Sequence, residues 1–332
     1  MVSNFNRIDI LKEYMDIYKR MRSKHRWQVN DQRTLMIAAS FYVVNDSAFH
    51  LQDYSDLTDY IKKKSPLFTT MRSYQRFTTA AMLDQRFDHP KEKYLELTDL
   101  YEQLVKGGFK RGTFTYIAAL VMLAGDSDNS SHKTSIERSL SVYKGMKQHH
   151  PFITSKNDYP LSVLLAQLDQ DIEPLMNHIE HFYRELNQNG FRKGNDLQFL
   201  SHILSIETER TPDDLTNSCV SIWEEFKRRK VKIKPMHYPE IGLLALAHAS
   251  SDDLNQVEHL VYELNRMKWF KWHRDMNTIM ATNFVVREKV DQNELIETGI
   301  FTTMETIIQA QQTAMIAAVA GGSAAATNGS NN

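Results

Sequence analysis

Few residues in this 332-residue chain have types and spacing that could do chemistry. In "HIEH", His178 and His181 stand three apart with Glu185 one turn further on, so one helical face could offer two ligands to a divalent metal. In "DQRFD", Asp84 and Asp88 stand four apart, a spacing at which two carboxylates of one helix can share Mg²⁺. Both pairs have plainer readings. Two ligands do not complete a metal site, and a His pair on a polar helix face is ordinary surface. The two aspartates fall before "HPKEK", where one helix should end and the next be capped. The single Cys219, in "TNSCVSIW", reads as a small core residue rather than a nucleophile. His149 and His150 precede Pro151, as histidines at a helix end do. No phosphate-binding Gly loop, G-x-S-x-G elbow or H-E-x-x-H helix is present. No catalytic residue, metal or cofactor is therefore assigned. A metal-dependent helical enzyme, hydrolase or transferase, stays as the alternative and requires the Asp and His groups to converge.

A second set of residues suits binding rather than reaction. "KRRKVKIK" (227–234) opens with Lys227, Arg228, Arg229 and Lys230, the densest basic run of the chain. "MKWFKWHRD" sets Trp272 between Lys271 and Arg274, and an exposed indole beside cations is a good anchor for a partner. Trp269, by its place in the sequence, should fill the buried slot that Phe109 and Phe191 fill elsewhere. Net charge is only −1, so no overall pull toward nucleic acid is expected and any attraction must come from local clustering.

The elements that position these groups are helices. Apolar residues recur at helical spacing nearly everywhere, alternating strand patterns are absent, and only eight Gly fall between residues 31 and 275. The chain also repeats. "YEQLVKGGFKRG" (101–112) and "YRELNQNGFRKG" (183–194) lie 82 residues apart, with Tyr143 midway and Trp223 a further 40 on. The period near 40 predicts an all-α fold, an α-solenoid of about six helical pairs. Each pair has a first helix rich in small and aliphatic residues, at 33–44, 76–83, 114–123, 161–168, 199–206 and 241–249, then a more amphipathic second helix. Residues 1–30 would form an N-terminal capping helix, 31–290 the repeat domain, 291–320 a C-terminal apolar helix and 321–332 a disordered tail. Charge sorts with this order. Loops from first to second helix carry Asp, and second helices end in Lys and Arg, so stacking predicts one acidic edge and one basic edge. Helix caps and macrodipoles account for such sorting by themselves.

"DQRTLMIAASFYVVN", "QRFTTAAMLDQRFDHPKEK" and "GGFKRGTFTYIAALVML" resemble an uncharacterised helical family of Bacillus-type bacteria, catalogued as domain of unknown function number four thousand and three. The resemblance runs along nearly the whole chain and implies no activity, cofactor or catalytic residue. A hydrophobic share of 42% with 24% charge is ordinary globular usage. One Cys excludes an intrachain disulfide and suits a reducing cytosol. The charged N-terminus is no signal peptide, and no apolar run approaches a spanning helix. After Glu305 the chain has no charge, and "AMIAAVA" (314–320) is apolar all round, which makes 305–320 a candidate for self-association. The expectation is a cytoplasmic, non-catalytic scaffold or adaptor that binds a protein partner through the solenoid surface.

Overall fold

A computed structural model describes residues 3–67, 69–125 and 132–290 of the chain. The expected C-terminal helix, the tail, the self-association stretch 305–320, and Asp126 and Asp128 lie outside the described residues. Every regular element described is helical: α1 (Ser3–His25), α2 (Arg33–Val44), α3 (Leu51–Lys64), α4 (Gln75–Arg86), α5 (Pro90–Lys106), α6 (Thr113–Ala124), α7 (His132–His149), α8 (Tyr159–Leu165), α9 (Ile172–Gln188), α10 (Asn195–Leu204), α11 (Pro212–Arg228), α12 (Tyr238–Leu246), α13 (Ser251–Arg266) and α14 (Arg274–Val290). Short 3-10 turns precede α4, α8 and α12.

The even-numbered helices are buried around almost their whole circumference. The odd-numbered ones bury a single stripe, such as Leu175, Met176, Ile179, Phe182 and Leu186 of α9. Small residues let the inner helices approach closely: a Cβ added at Gly242 of α12 would come within 2.6 Å of Leu200 on α10. Local signals set the ends. Thr211 accepts from the Asp214 amide with Pro212 in the first turn of α11, and Ser250 with Asp253 forms a reciprocal capping box on α13.

The phrase that the chain repeats is a helix stop. Gly108 and Gly190 take positive φ, 114° and 96°, so that Phe109 can donate back to Leu104 and Phe191 to Leu186. The two Phe rings are then buried edge-on, 4.8 Å from Tyr159 and from Tyr238 respectively. Those same tyrosines accept from the Lys110 and Arg192 amides just beyond. Trp269 does not fill the matching slot in the last unit. Phe270 does, fully buried and stacked 5.3 Å from Tyr14 of α1. Here α13 ends on the extended Met267 rather than on a left-handed Gly, which displaces the inward-pointing side chain by one residue.

Each odd-numbered helix packs with the even-numbered one after it, and consecutive couples lie side by side. An open solenoid would keep its first and last helices apart. In this protein α14 packs on α2, and Tyr14 of α1 contacts both Phe270 and Phe284. Arg287 of α14 donates to the Val43 carbonyl at the end of α2 and pairs with Asp46 at 3.2 Å. The first and last of the described helices, α1 and α14, therefore meet each other, and one hydrophobic cluster runs from Ile10 to Val286. The physical reason is burial: α14 is buried all round from Met276 to Val286, with apolar Ile279, Met280, Phe284 and Val286 among those residues, and an end position would expose one side.

Candidate functional site

Because each couple runs outer helix then inner helix, the connections within couples all emerge at one end of the ring. Polar contacts join them in sequence: Arg76 to Gln28 (3.0 Å), Thr113 to Thr70 (3.2 Å), Lys110 to Tyr159 (3.4 Å), Gln198 to Thr154 (2.7 Å), Arg192 to Tyr238 (3.0 Å) and Lys234 to Asp275 (2.6 Å). Asp31 and His273, within electrostatic reach of each other, join the last to the first. The seven connections at this end contain thirteen Lys and Arg against two carboxylates, Asp31 and the buried Asp158. The connections between couples emerge at the other end, where, among the described residues, six carboxylates stand beside one Arg. The acidic and basic edges expected from the repeat thus belong to the two ends of the ring.

The basic end also carries apolar tips. Trp27 is 85% exposed, Leu67 67%, Phe152 99% and Trp272 80%, each in a different within-couple connection. Lys271 lies 5.1 Å over the Trp272 ring and Arg26 4.8 Å over Trp27, which leaves both indoles solvent-facing with a cation attached. Sequence reasoning found Trp272 but missed Trp27, Leu67 and Phe152. The signal was there: each is a large apolar residue between a helix end and the next start, off any helical stripe, with Lys or Arg nearby.

The basic run 227–230 does not act as one patch. Arg229 is half-buried and bonds to Glu225 (2.5 Å), Glu258, Asn255 and Ser251, tying α11 to α13. Lys227 pairs with Glu224 at 2.7 Å over the Trp223 ring, and Arg228 pairs with Glu225. Lys230 is exposed and faces no carboxylate among the described residues, as are Lys193, Lys232, Lys268 and Lys271. Arg274, exposed at the start of α14, adjoins Trp272 in sequence.

The residues with chemical spacing are held by separate neighbours. Asp84, in the last turn of α4, accepts from Tyr42 at 2.5 Å. Burial, with Asp53 adding to it, raises its carboxyl above the ordinary value. With Asp53, Asp56, Asp88 and His89 it lines an open groove of about 610 Å³ on the acidic side. His181 pairs with Asp213 of α11 at 3.5 Å, while His178 lies against Phe182, its ring pKa lowered by burial. The two pairs thus sit on different couples. No group of three or more His, Cys, Asp or Glu able to hold a metal occurs among the described residues. Cys219 is buried, and burial pushes its thiol up to about 12, which removes it as a nucleophile near neutral pH. A buried polar set not anticipated from sequence lies between α8 and α10. Asp158, pushed by burial up to about 7, faces His202, held by burial down to about 3, at 3.9 Å. His150 beside them meets Glu180 at 2.8 Å.

Residues 17–313 match the family model described as "Protein of unknown function (DUF4003)". The chain belongs to this family. This DUF4003 member is 38% identical over 315 residues to "Uncharacterized protein YeaA" of Bacillus subtilis (strain 168), an alignment that covers 95% of each chain. No solved structure matches it. No helix among the described residues is long and apolar enough to cross a membrane.

Proposed function

We propose that this DUF4003 protein is a non-catalytic interaction scaffold that engages its partner through the basic end of the ring. The observation that supports this is the coincidence, at one end only among the described residues, of exposed aromatic tips with lysines that no described carboxylate neutralises. Trp272, Lys271, Arg274 and Lys230 stay in the proposed contact surface. Lys227, Arg228 and Arg229 leave it, since their charges are spent within the fold. On this reading residues 1–30 are part of the ring body rather than a separate cap, because α1 and α14 close it together.

The test is affinity capture from native cytosol with the full chain and with a Trp27→Ala, Trp272→Ala double variant. A partner recovered with the parent and lost with the variant supports the reading. Equal recovery by both removes the basic end from the contact. The metal-dependent alternative has no specific observation in its favour, since Asp84 and Asp88 engage one set of neighbours and His178 and His181 another.

A further inference from the structure

The arrangement at the basic end distinguishes one class of surface from others. Three of the four exposed apolar tips, Trp272, Trp27 and Leu67, belong to the seventh, first and second couples, which are neighbours where the ring closes, and Phe152 belongs to the fourth; each has Lys or Arg in its own connection. Of the six large apolar side chains that stand exposed among the described residues, the remaining two, Leu95 and Tyr262, lie on outer helices, so none of the six stands in a connection at the acidic end. Exposed apolar tips at one end of a ring, each beside Lys or Arg, suit an anionic interface by charge complementarity. Indole rings favour the headgroup level of a bilayer, and lysines beside them favour an anionic leaflet.

We propose that the basic end of the ring docks on an anionic lipid surface, with Trp27, Phe152 and Trp272 entering the headgroup layer and the unpaired lysines facing lipid phosphates. This rests on the scaffold reading above and names the surface it engages. The lysines carry the electrostatic part because their charge is free. Lys193, Lys230, Lys232, Lys268 and Lys271 have no carboxylate partner among the described residues, while at the acidic end Asp46 is drawn into an ion pair with Arg287 and Asp253 into a cap on α13. The charge asymmetry also sets orientation: a chain of net charge −1 would be repelled through one end and attracted through the other.

The experiment is co-sedimentation of the full chain with phosphatidylcholine vesicles, with and without phosphatidylglycerol, at low and physiological salt. Tryptophan emission is read in parallel. The expected result is binding to the anionic vesicles only, weakened by salt, with a blue shift from Trp27 and Trp272. Lys230→Ala, Lys268→Ala and Lys271→Ala together should weaken binding roughly a hundredfold, at about fivefold per lysine. Trp27→Ala, Phe152→Ala and Trp272→Ala together should weaken it about tenfold or more while leaving the melting temperature unchanged. Binding that neither set of substitutions alters would overturn the proposal and assign the lipid contact to another part of the chain. Absence of vesicle binding, with a soluble acidic protein captured in a Trp27- and Trp272-dependent way, would overturn the lipid inference and leave the scaffold reading standing. Absence of both would remove both.

Discussion

The two ends of this ring are built by the same helix-terminus physics and come out differently. At the acidic end several charges have internal work. Asp253 caps α13 and pairs with Lys289, Asp214 bonds to Thr211, Asp46 holds Arg287, and Arg86, Arg138 and Arg210 satisfy the C-terminal carbonyls of α6, α8 and α12. At the basic end, backbone amides, tyrosine hydroxyls and buried Phe rings do much of the joining, with Lys234 bonded to Asp275, while Lys193, Lys230, Lys232, Lys268 and Lys271 have no carboxylate partner among the described residues. Capping and ion pairing therefore use several of the charges at one end, whereas at the other those five lysines have no such partner among the described residues. What local structure does not use is available to a partner.

The sharpest way to break this contrast lies within three residues. Phe270 is fully buried against Tyr14 and Tyr18, while Trp272 is 80% exposed. Phe270→Ala should cost about 3–5 kcal/mol of stability, since it empties the seam where the ring closes. Trp272→Ala should fall within about 0.5 kcal/mol of the parent in the same denaturation series. Comparable losses from both would mean that Trp272 is structural and that the basic end has no residues to spare.

This pair also marks how far the sequence could be read. Helix type, helix positions and the sorting of charge to two edges follow from periods and end signals that each segment carries locally, such as "TPDD" before α11. Closure was not legible, because it depends on one long-range event: Arg287 reaches Val43 across 244 residues of sequence, and nothing near either residue marks the other. The exchange of Trp269 for Phe270 has the same origin. The period predicts a slot, but the extended Met267 at the end of α13 decides which neighbour enters it. At the candidate surface, Arg229 looked free in sequence because folding brings up Glu258 and Ser251 of the next outer helix, whereas the partners of Lys227 and Arg228, Glu224 and Glu225, stand three residues away on α11 itself.

A second test uses pH. Burial holds His237 down to about 4, below the ordinary histidine value near 6.5, although Asp275 at 3.8 Å pulls the other way. A histidine held neutral in the fold binds its proton more readily when unfolded, so its stabilising effect is complete above about pH 6.5. It is lost as pH falls from there toward 4, by on the order of 3 kcal/mol. His25, also held to about 4, acts in the same direction. Asp158, raised to about 7, acts oppositely and favours folding as pH falls from 7 toward 4. Chemical denaturation between pH 7 and 4.5 should therefore show a smaller acid loss in His237→Gln than in the parent, measured relative to each protein's value at pH 7. An unchanged slope would show that the polar joints at the basic end tolerate charge.

Arg287→Gln tests the acidic end. The arginine is 11% exposed, satisfies the α2 carboxy terminus and holds Asp46. Its loss should cost about 2 kcal/mol. Because it acts at the closure, native-state hydrogen exchange in α2 and α14 should quicken before that in α8 and α10. A uniform change along the chain would mean that closure adds nothing beyond an ordinary ion pair.

The smallest effect discriminates most finely between the two accounts of the basic end. Lys230 has φ 59°, the left-handed conformation that its sister positions reach with Gly108 and Gly190, and the same helix-stop bonds form around it: Lys230 to Lys227 and Val231 to Phe226. If the residue served only to stop α11, glycine would be the better choice. Lys230→Gly should in fact stabilise the protein by up to about 1 kcal/mol, measured by denaturant midpoint. The same substitution should weaken binding at the basic end, because it removes an exposed charge that no carboxylate uses. A more stable protein with unchanged binding would return Lys230 to the category of a helix end and shrink the functional surface to the aromatic tips. A more stable protein that binds less would mean that this position keeps a strained lysine for what it contacts outside the fold.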